Sequence, residues 1–299
     1  MNLLEKFEAV KIEADNRISS ADKALCERHQ AAYEAALSAF RELIFIRQDM
    51  ERQQYELMGG PGTPFREDYL YSYDGPRFTV QLIEKHLEAL HGMLIKSLVE
   101  YFNNIYHISV DAQEVTAAML PPEPEKHWNS NKEEWAAYHS RLQELQVSYS
   151  DVVDQVILRM NGRSFSEQAF FELQARCHAA SWNSYDSTPR FERKKATIQF
   201  NSYSCSCDTF YNTPRWKLCD KTRVVLHGLA HFETGSYEIL PMGISNLLGY
   251  DDIHTDVMEF PSCEKVKQLK MFKKGRVDIK FASEAFAVDF IDRYLGTLP

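Results

Sequence analysis

The sequence predicts a predominantly helical α+β protein. A long N-terminal helical region is followed by a smaller α+β region that ends in a β-hairpin and a helix. Three observations carry this reading. Residues 1–58 hold no Gly or Pro and are rich in Ala, Glu, Arg and Leu, good helix formers. Residues 78–107 set Ile83, Leu87, Leu90, Leu94, Leu98 and Phe102 at three-four spacing, the stripe of a core-facing helix. From Lys265 to Gly296 the period changes. Val277, Ile279 and Phe281 alternate with Arg276, Asp278 and Lys280, as in a half-buried strand.

The first segment predicts helix from Met1 to about Met58. Leu3, Phe7, Val10, Ala14, Ile18, Ala21 and Leu25 form one stripe, and Tyr33, Leu37, Phe40 and Ile44 form a second after a phase shift near Arg28. That pattern suits a helical hairpin or bundle. The alternative is a homodimer through an intermolecular coiled coil, which the phase shift and Ala-rich middle disfavour. The run from Gly59 to Pro64 breaks the helix and lacks the Gly-Lys-Ser/Thr ending of a phosphate-binding loop. Tyr69, Tyr71 and Tyr73 then read as a half-buried aromatic strand or loop. Beside the 78–107 stripe, His86 and His91 lack metal-ligand i, i+4 spacing and read as partly exposed residues.

Pro121, Pro122 and Pro124 open a polar linker, so the domain reading is a helical region 1–120, a linker 121–131, a helical segment 132–185 and an α+β region 186–299. Within 132–185, Glu133 to Leu145 is a polar helix. Val152, Val153, Val156, Ile157 and Met160 mark another, ended by Asn161-Gly162. Ser164-Phe165-Ser166-Glu167 is a capping box that starts a third. In 186–299, residues 197–200 read as a strand, 222–232 as a helix with Val225, Leu229 and Phe232 inward, and 241–248 as a short helix. In the final hairpin Gly275 supplies the positive φ of a tight turn, Ser283 caps the last helix, and Phe286, Ala287, Phe290, Ile291 and Tyr294 form its apolar face.

Composition bounds the function. The chain has 299 residues, 44% hydrophobic and 26% charged, as an ordinary folded protein has. No apolar run nears the roughly 20 residues of a membrane span. The opening MNLLEKFEAVKIEAD is too acidic and polar for a signal peptide, and six cysteines without an export signal point to free thiols in a reducing cytoplasm. Residues 186–299 hold 16 Lys and Arg against 15 Asp and Glu, so the net charge of −9 belongs to residues 1–185. That excludes a protein coating nucleic acid along its whole length and leaves room for a local basic site.

Three constellations could carry chemistry. Lys265, Lys267, Lys270, Lys273, Lys274 and Arg276 crowd the hairpin, and Arg190, Arg193, Lys194 and Lys195 form a second basic cluster. Such side chains contact phosphates, and the competing reading is a solvated, edge-protecting strand face. Cys205, Cys207, Cys219, His227 and His231 offer thiolates and imidazoles suited to zinc, with His227 and His231 four apart on one helix. The Cys-x-Cys pair is tighter than usual zinc spacing, and HGLAH lacks the Glu of a metalloprotease motif, so free thiols without a cofactor are the main reading. Asp252, His254 and Asp256 would share one face if extended and could hold Mg²⁺ or Mn²⁺ for hydrolysis; an acidic surface loop looks the same. Ser262 and Cys263 have no nucleophile-elbow context.

From about Gln155 onward the chain resembles a bacterial family, the domain of unknown function 4942. The resemblance rests on QVILRMNGRSFSEQAFFEL, ATIQF, VLHGLAHFETG and, above all, MFKKGRVDIKFASEAFAVDFIDRYL. It implies a setting on plasmids, prophages and genomic islands, where some members are fused to DNA methyltransferase domains. No activity comes with the family, so it brings no catalytic residues. This chain lacks both the Asn/Asp-Pro-Pro-Tyr/Phe motif and a Gly-rich cofactor loop of a methyltransferase.

The resulting expectation is a non-enzymatic, cytoplasmic accessory or regulatory protein of a bacterial mobile element. It would touch nucleic acid, or a nucleic-acid enzyme, through the basic hairpin. The alternatives are a metal-dependent hydrolase using His227, His231 or the 252–256 loop, and a protein-interaction module built on the acidic helical half.

Overall fold

A capping box begins the first helix of the described residues. Ser19 Oγ accepts from the Asp22 N–H at 3.1 Å while the Asp22 carboxylate accepts from the Ser19 N–H at 3.0 Å. Helix α1 (Ser20–Met58) follows and ends at Gly59, whose φ of +68° is left-handed. The computed structural model describes residues 18–60, 80–125, 132–183, 185, 188–201, 203–210 and 213–296. The part of the expected helix before Ile18, the Tyr69–Tyr73 stretch and most of the 121–131 linker's polar end lie outside them.

The chain divides into two compact units, Met1–Ser164 and Phe165–Pro299. In the first, α2 (Val80–Tyr106) is the central helix, and α1, α3 (Ala112–Met119), α4 (Lys132–Glu144) and α5 (Tyr149–Arg159) all pack against it. Helices α1 and α2 run antiparallel: Asp22 meets Tyr101 and Tyr106, His29 meets Ser97, Tyr33 meets His91, and Phe40 stacks on His86. The buried residues of α1 are Asp22, Cys26, Tyr33, Leu37 and, further along, Arg47, a single stripe without the expected phase shift. The shift comes from counting Ala21 and Leu25 as inward, when the acidic Asp22 takes the core position and Ala21 faces water.

His91 also departs from the sequence reading: it is fully buried. Its Nε2 lies 2.7 Å from the Leu142 carbonyl, which can only accept, so Nε2 carries the proton. Nδ1 then accepts from the Tyr33 hydroxyl at 2.8 Å, and that hydroxyl accepts from the Val147 N–H at 3.1 Å. Gln30 holds the same connection, donating to Val147 O and accepting from Tyr149 N–H, and Arg41 donates to Gln143 O at the end of α4. The expected α5 stripe is buried through Val152, Val153, Val156, Ile157 and Met160.

The second unit begins with α6 (Phe165–Ser181), which the sequence reading groups with the helical segment 132–185. Its inward side chains Leu173, Cys177 and Ala180 belong to the same core as the sheet, which is why the division falls before it. Among the described residues seven strands follow: β1 (Phe191–Lys194), β2 (Thr197–Phe200), β3 (Cys205–Phe210), β4 (Thr213–Leu218), β5 (Val257–Glu259), β6 (Val266–Met271) and β7 (Val277–Phe281). Helices α7 (Asp220–Thr234) and α8 (Met242–Gly249) lie between β4 and β5, and α9 (Glu284–Phe290) closes the chain with a π-helical turn, Ile291–Leu295. Five strands form an antiparallel sheet in the order β1-β2-β7-β6-β5, and β3 pairs with β4 separately.

The expected alternation on β7 is real: Val277, Ile279 and Phe281 are buried and pair across β6 with Met271, Leu269 and Val266, while Ile279 also faces Ile198 on β2. The core face of the sheet meets Phe232 of α7 and Phe290 of α9, whose rings cluster with Phe281. Helix α7 approaches α6 closely at Gly228, where a Cβ would stand 2.6 Å from Cys177 Sγ. Ser283 caps α9 as expected, accepting from the Phe286 N–H. Among the described residues no helix is long and apolar enough to cross a membrane.

Candidate nucleic-acid interface

The basic hairpin is a three-residue loop with a fixed geometry. The Gly275 N–H donates to Phe272 O at 2.8 Å, and the Phe272 N–H donates to Arg276 O at 2.9 Å. This is a turn in which Lys273 and Lys274 occupy the two corner positions and Gly275, at φ +83°, makes the bulge that rejoins β7. Corner side chains point away from the sheet, and Lys273 and Lys274 are exposed. Among the described residues no carboxylate pairs with either.

The other four basic residues that the sequence reading singled out in the hairpin are engaged. Lys265 donates to the Phe232 carbonyl and lies 4.8 Å from the Phe232 ring centroid. Lys267 donates to Cys263 O. Lys270 and Arg276 both lean on the Phe272 ring, at 5.3 and 4.1 Å, and Arg276 is paired with Asp278 at 2.9 Å. These four are half-buried and held by local contacts, whereas Lys273 and Lys274 are exposed, so the most accessible of the six candidate cations sit at the tip.

A neighbour that the sequence reading passed over shares that tip. Tyr203, in the β2–β3 connection, is 82% exposed and has a left-handed backbone at φ +72°. Its backbone rests on Gly275: a Cβ there would stand 2.9 Å from Tyr203 N. The Ser204 N–H donates to Gly275 O at 2.8 Å, while Ser204 O accepts from the Thr222 hydroxyl and the Cys219 N–H. Ser204 is thus pinned on both sides, and the exposed Tyr203 ring stands on a fixed base beside two lysines.

The second basic cluster is split. Strand β1 runs from the tip end of the sheet to the opposite end, because Phe191 pairs with Phe200 and Lys194 with Thr197. Arg190 therefore lies at the tip end, where it lines a small cleft with Lys221, Ser204 and Cys219. Arg193, Lys194 and Lys195 lie at the other end, about 13 Å away along β7 at 3.3 Å per residue. There Arg193 pairs with Glu284 and Lys194 with Glu192, and Lys195 turns the β1–β2 hairpin at φ +53°. The ten basic residues singled out from sequence do not form one surface; Arg190, Lys273 and Lys274 share an end, joined there by Lys221.

The cysteine and histidine set does not converge. Cys205 Sγ faces the carbonyls of Phe272 and Arg276, and burial pushes its thiol up. Cys219 caps α7, accepting from the Thr222 N–H. His227 follows eight residues later, about 12 Å along the helix axis. His231, one turn on, meets the Tyr294 hydroxyl at 2.8 Å and packs on Tyr237 and Phe170. Burial first, then Arg293 and Lys265, push its pKa down, as for a neutral core imidazole. Asp252 is paired with Arg215 and Lys217, while Ile253 bridges to Trp216. Among the described residues no three His, Cys, Asp or Glu side chains could hold a metal ion.

No protein-family model matches the chain, and no curated protein or solved structure matches it.

Proposed function

We propose that this chain is a non-enzymatic accessory protein that contacts nucleic acid through the tip end of its C-terminal sheet, in the bacterial mobile-element setting that the sequence resemblance implies. The observation that carries the reading is the tip itself. Two exposed lysines, with no carboxylate partner among the described residues, occupy the corners of a rigid turn, next to an exposed tyrosine and at the same sheet end as Arg190 and Lys221. Lysine and arginine there supply phosphate contacts, which set affinity without reading sequence. The local charge suits this role although the chain as a whole is acidic, because screening limits a phosphate to charges within about 10 Å.

Binding of the full chain to labelled DNA and RNA, at about 50 and about 200 mM salt, tests this. Each phosphate contact weakens affinity about threefold across that range, so four contacts give a drop on the order of 50- to 150-fold. The double substitution Lys273→Glu and Lys274→Glu should lower the log–log salt slope by about 1.5 and weaken binding at least about tenfold. Absence of binding at the lower salt, or binding that the double variant leaves intact, refutes the proposal.

A further inference from the structure

We infer that the nucleic acid held at this tip is single-stranded, with Tyr203 as the residue on which a base stacks; the inference rests on the functional reading above and adds the substrate class. Tyr203 is the reason. A left-handed backbone is unfavourable for an aromatic residue, and Gly or Asn would suit φ +72° better. Strain of this kind, on a side chain that buries almost nothing, has no packing gain to offset it within the described residues.

The backbone that carries the ring is nonetheless held in place. Its backbone is fixed against Gly275, and the next residue is tied to β7's turn, to α7 and to the α7 cap. The result is an exposed aromatic side chain on a backbone that touches the same turn that carries Lys273 and Lys274. Single-strand binders combine those parts: cations that follow the phosphates and an aromatic ring on which an unpaired base stacks. In a duplex the base faces are already stacked on one another, so a lone ring at a hairpin tip has nothing to meet. Phe272 does not serve the same role, because Lys270 and Arg276 already lie against it.

The test compares single-stranded DNA, single-stranded RNA and a blunt DNA duplex of equal length, each titrated with the full chain. Single strands of either sugar should bind more tightly than the duplex. Tyr203→Ala should weaken single-strand binding about 5- to 100-fold while leaving the salt slope unchanged, and Tyr203→Phe should bind as the parent does. Tyr203→Gly suits the backbone, so it should raise the melting temperature and still lose single-strand affinity. A merely structural tyrosine would not show that combination. Equal or tighter duplex binding, or full affinity in Tyr203→Ala or Tyr203→Gly, overturns the single-strand inference. If the Lys273→Glu and Lys274→Glu variant still loses binding in that case, the basic contact stands without it. If the parent protein binds none of the three probes, both fall.

Discussion

Replacing Tyr33 by Phe removes one oxygen atom and strands two buried groups. In the parent protein the Tyr33 hydroxyl accepts from the Val147 N–H and donates to Nδ1 of His91. His91 is fully buried and Tyr33 nearly so, so water cannot replace the lost partner without opening α1 from α2. Each orphaned buried polar group costs about 1–3 kcal/mol, so Tyr33→Phe should destabilise by about 2–4 kcal/mol. Set against a typical domain stability of about 5–15 kcal/mol, this is large. Urea titration at pH 8 measures it, and hydrogen exchange at α1 and α2 amides should locate it. His91→Leu with Tyr33→Phe should cost less than the sum of the single changes, because the two groups share one chain of hydrogen bonds. The relay also makes a pH prediction. Burial, the largest influence, holds the His91 pKa below its ordinary value, with Arg41 pushing the same way and the Leu142 hydrogen bond and Glu88 opposing. The unfolded imidazole takes its proton near pH ~6.5 while the native one resists. Stability from this site is therefore full above that pH and declines as pH falls below it. A loss under about 0.5 kcal/mol for Tyr33→Phe, or α1 and α2 protection that is flat from pH 8 to pH 5, refutes the reasoning.

Two further outcomes follow from named contacts. Gly275→Ala places a side chain at φ +83° and 2.9 Å from Tyr203 N, so it should cost more than about 1 kcal/mol and weaken nucleic-acid binding by shifting Tyr203; calorimetry and the binding titration read both. Asp22 accepts from the Ser19 backbone and hydroxyl and from Tyr101 and Tyr106; burial raises its pKa, but these donors outweigh it and hold the carboxyl below its usual range. Its stability contribution is present above pH ~3.9 and lost as pH falls through the lower native value. Asp22→Asn should cost about 2–4 kcal/mol at pH 7 and flatten that acid limb in a pH-dependent melt.

Much of the second unit was legible where one element reports on itself. Strand β7 buries the three residues its alternation marks, and Gly275 and Ser283 hold the turn and the cap expected of them. Other strands were missed for physical reasons. Strand β1 is a charged edge strand that reads as a basic cluster, because an edge needs charge to avoid further pairing. In β4, Pro214 interrupts the pattern, and β5 is only three residues long. On α1, the sequence stripe went wrong at Asp22 because a buried carboxylate is invisible until the two tyrosines that satisfy it, some eighty residues away, are in place. His91 was misjudged likewise: its partners Tyr33 and Leu142 lie on other helices.

The sequence by itself determined the local elements of this protein: where helices run, where the period changes, which turn must be glycine, and that cations gather near residue 274. Periodicity encodes only the inward face of one element, so it says nothing of which ends meet. Strand order decided that. It carried Arg193, Lys194 and Lys195 to the far end of the sheet, left Arg190 near the hairpin tip, and scattered the cysteines and histidines along α7 and its flanks. It also seated Tyr203 on Gly275, some seventy residues distant in the chain, because the β2–β3 connection must pass over the β6–β7 turn to reach β3. That contact is tertiary, and the candidate site exists only through it.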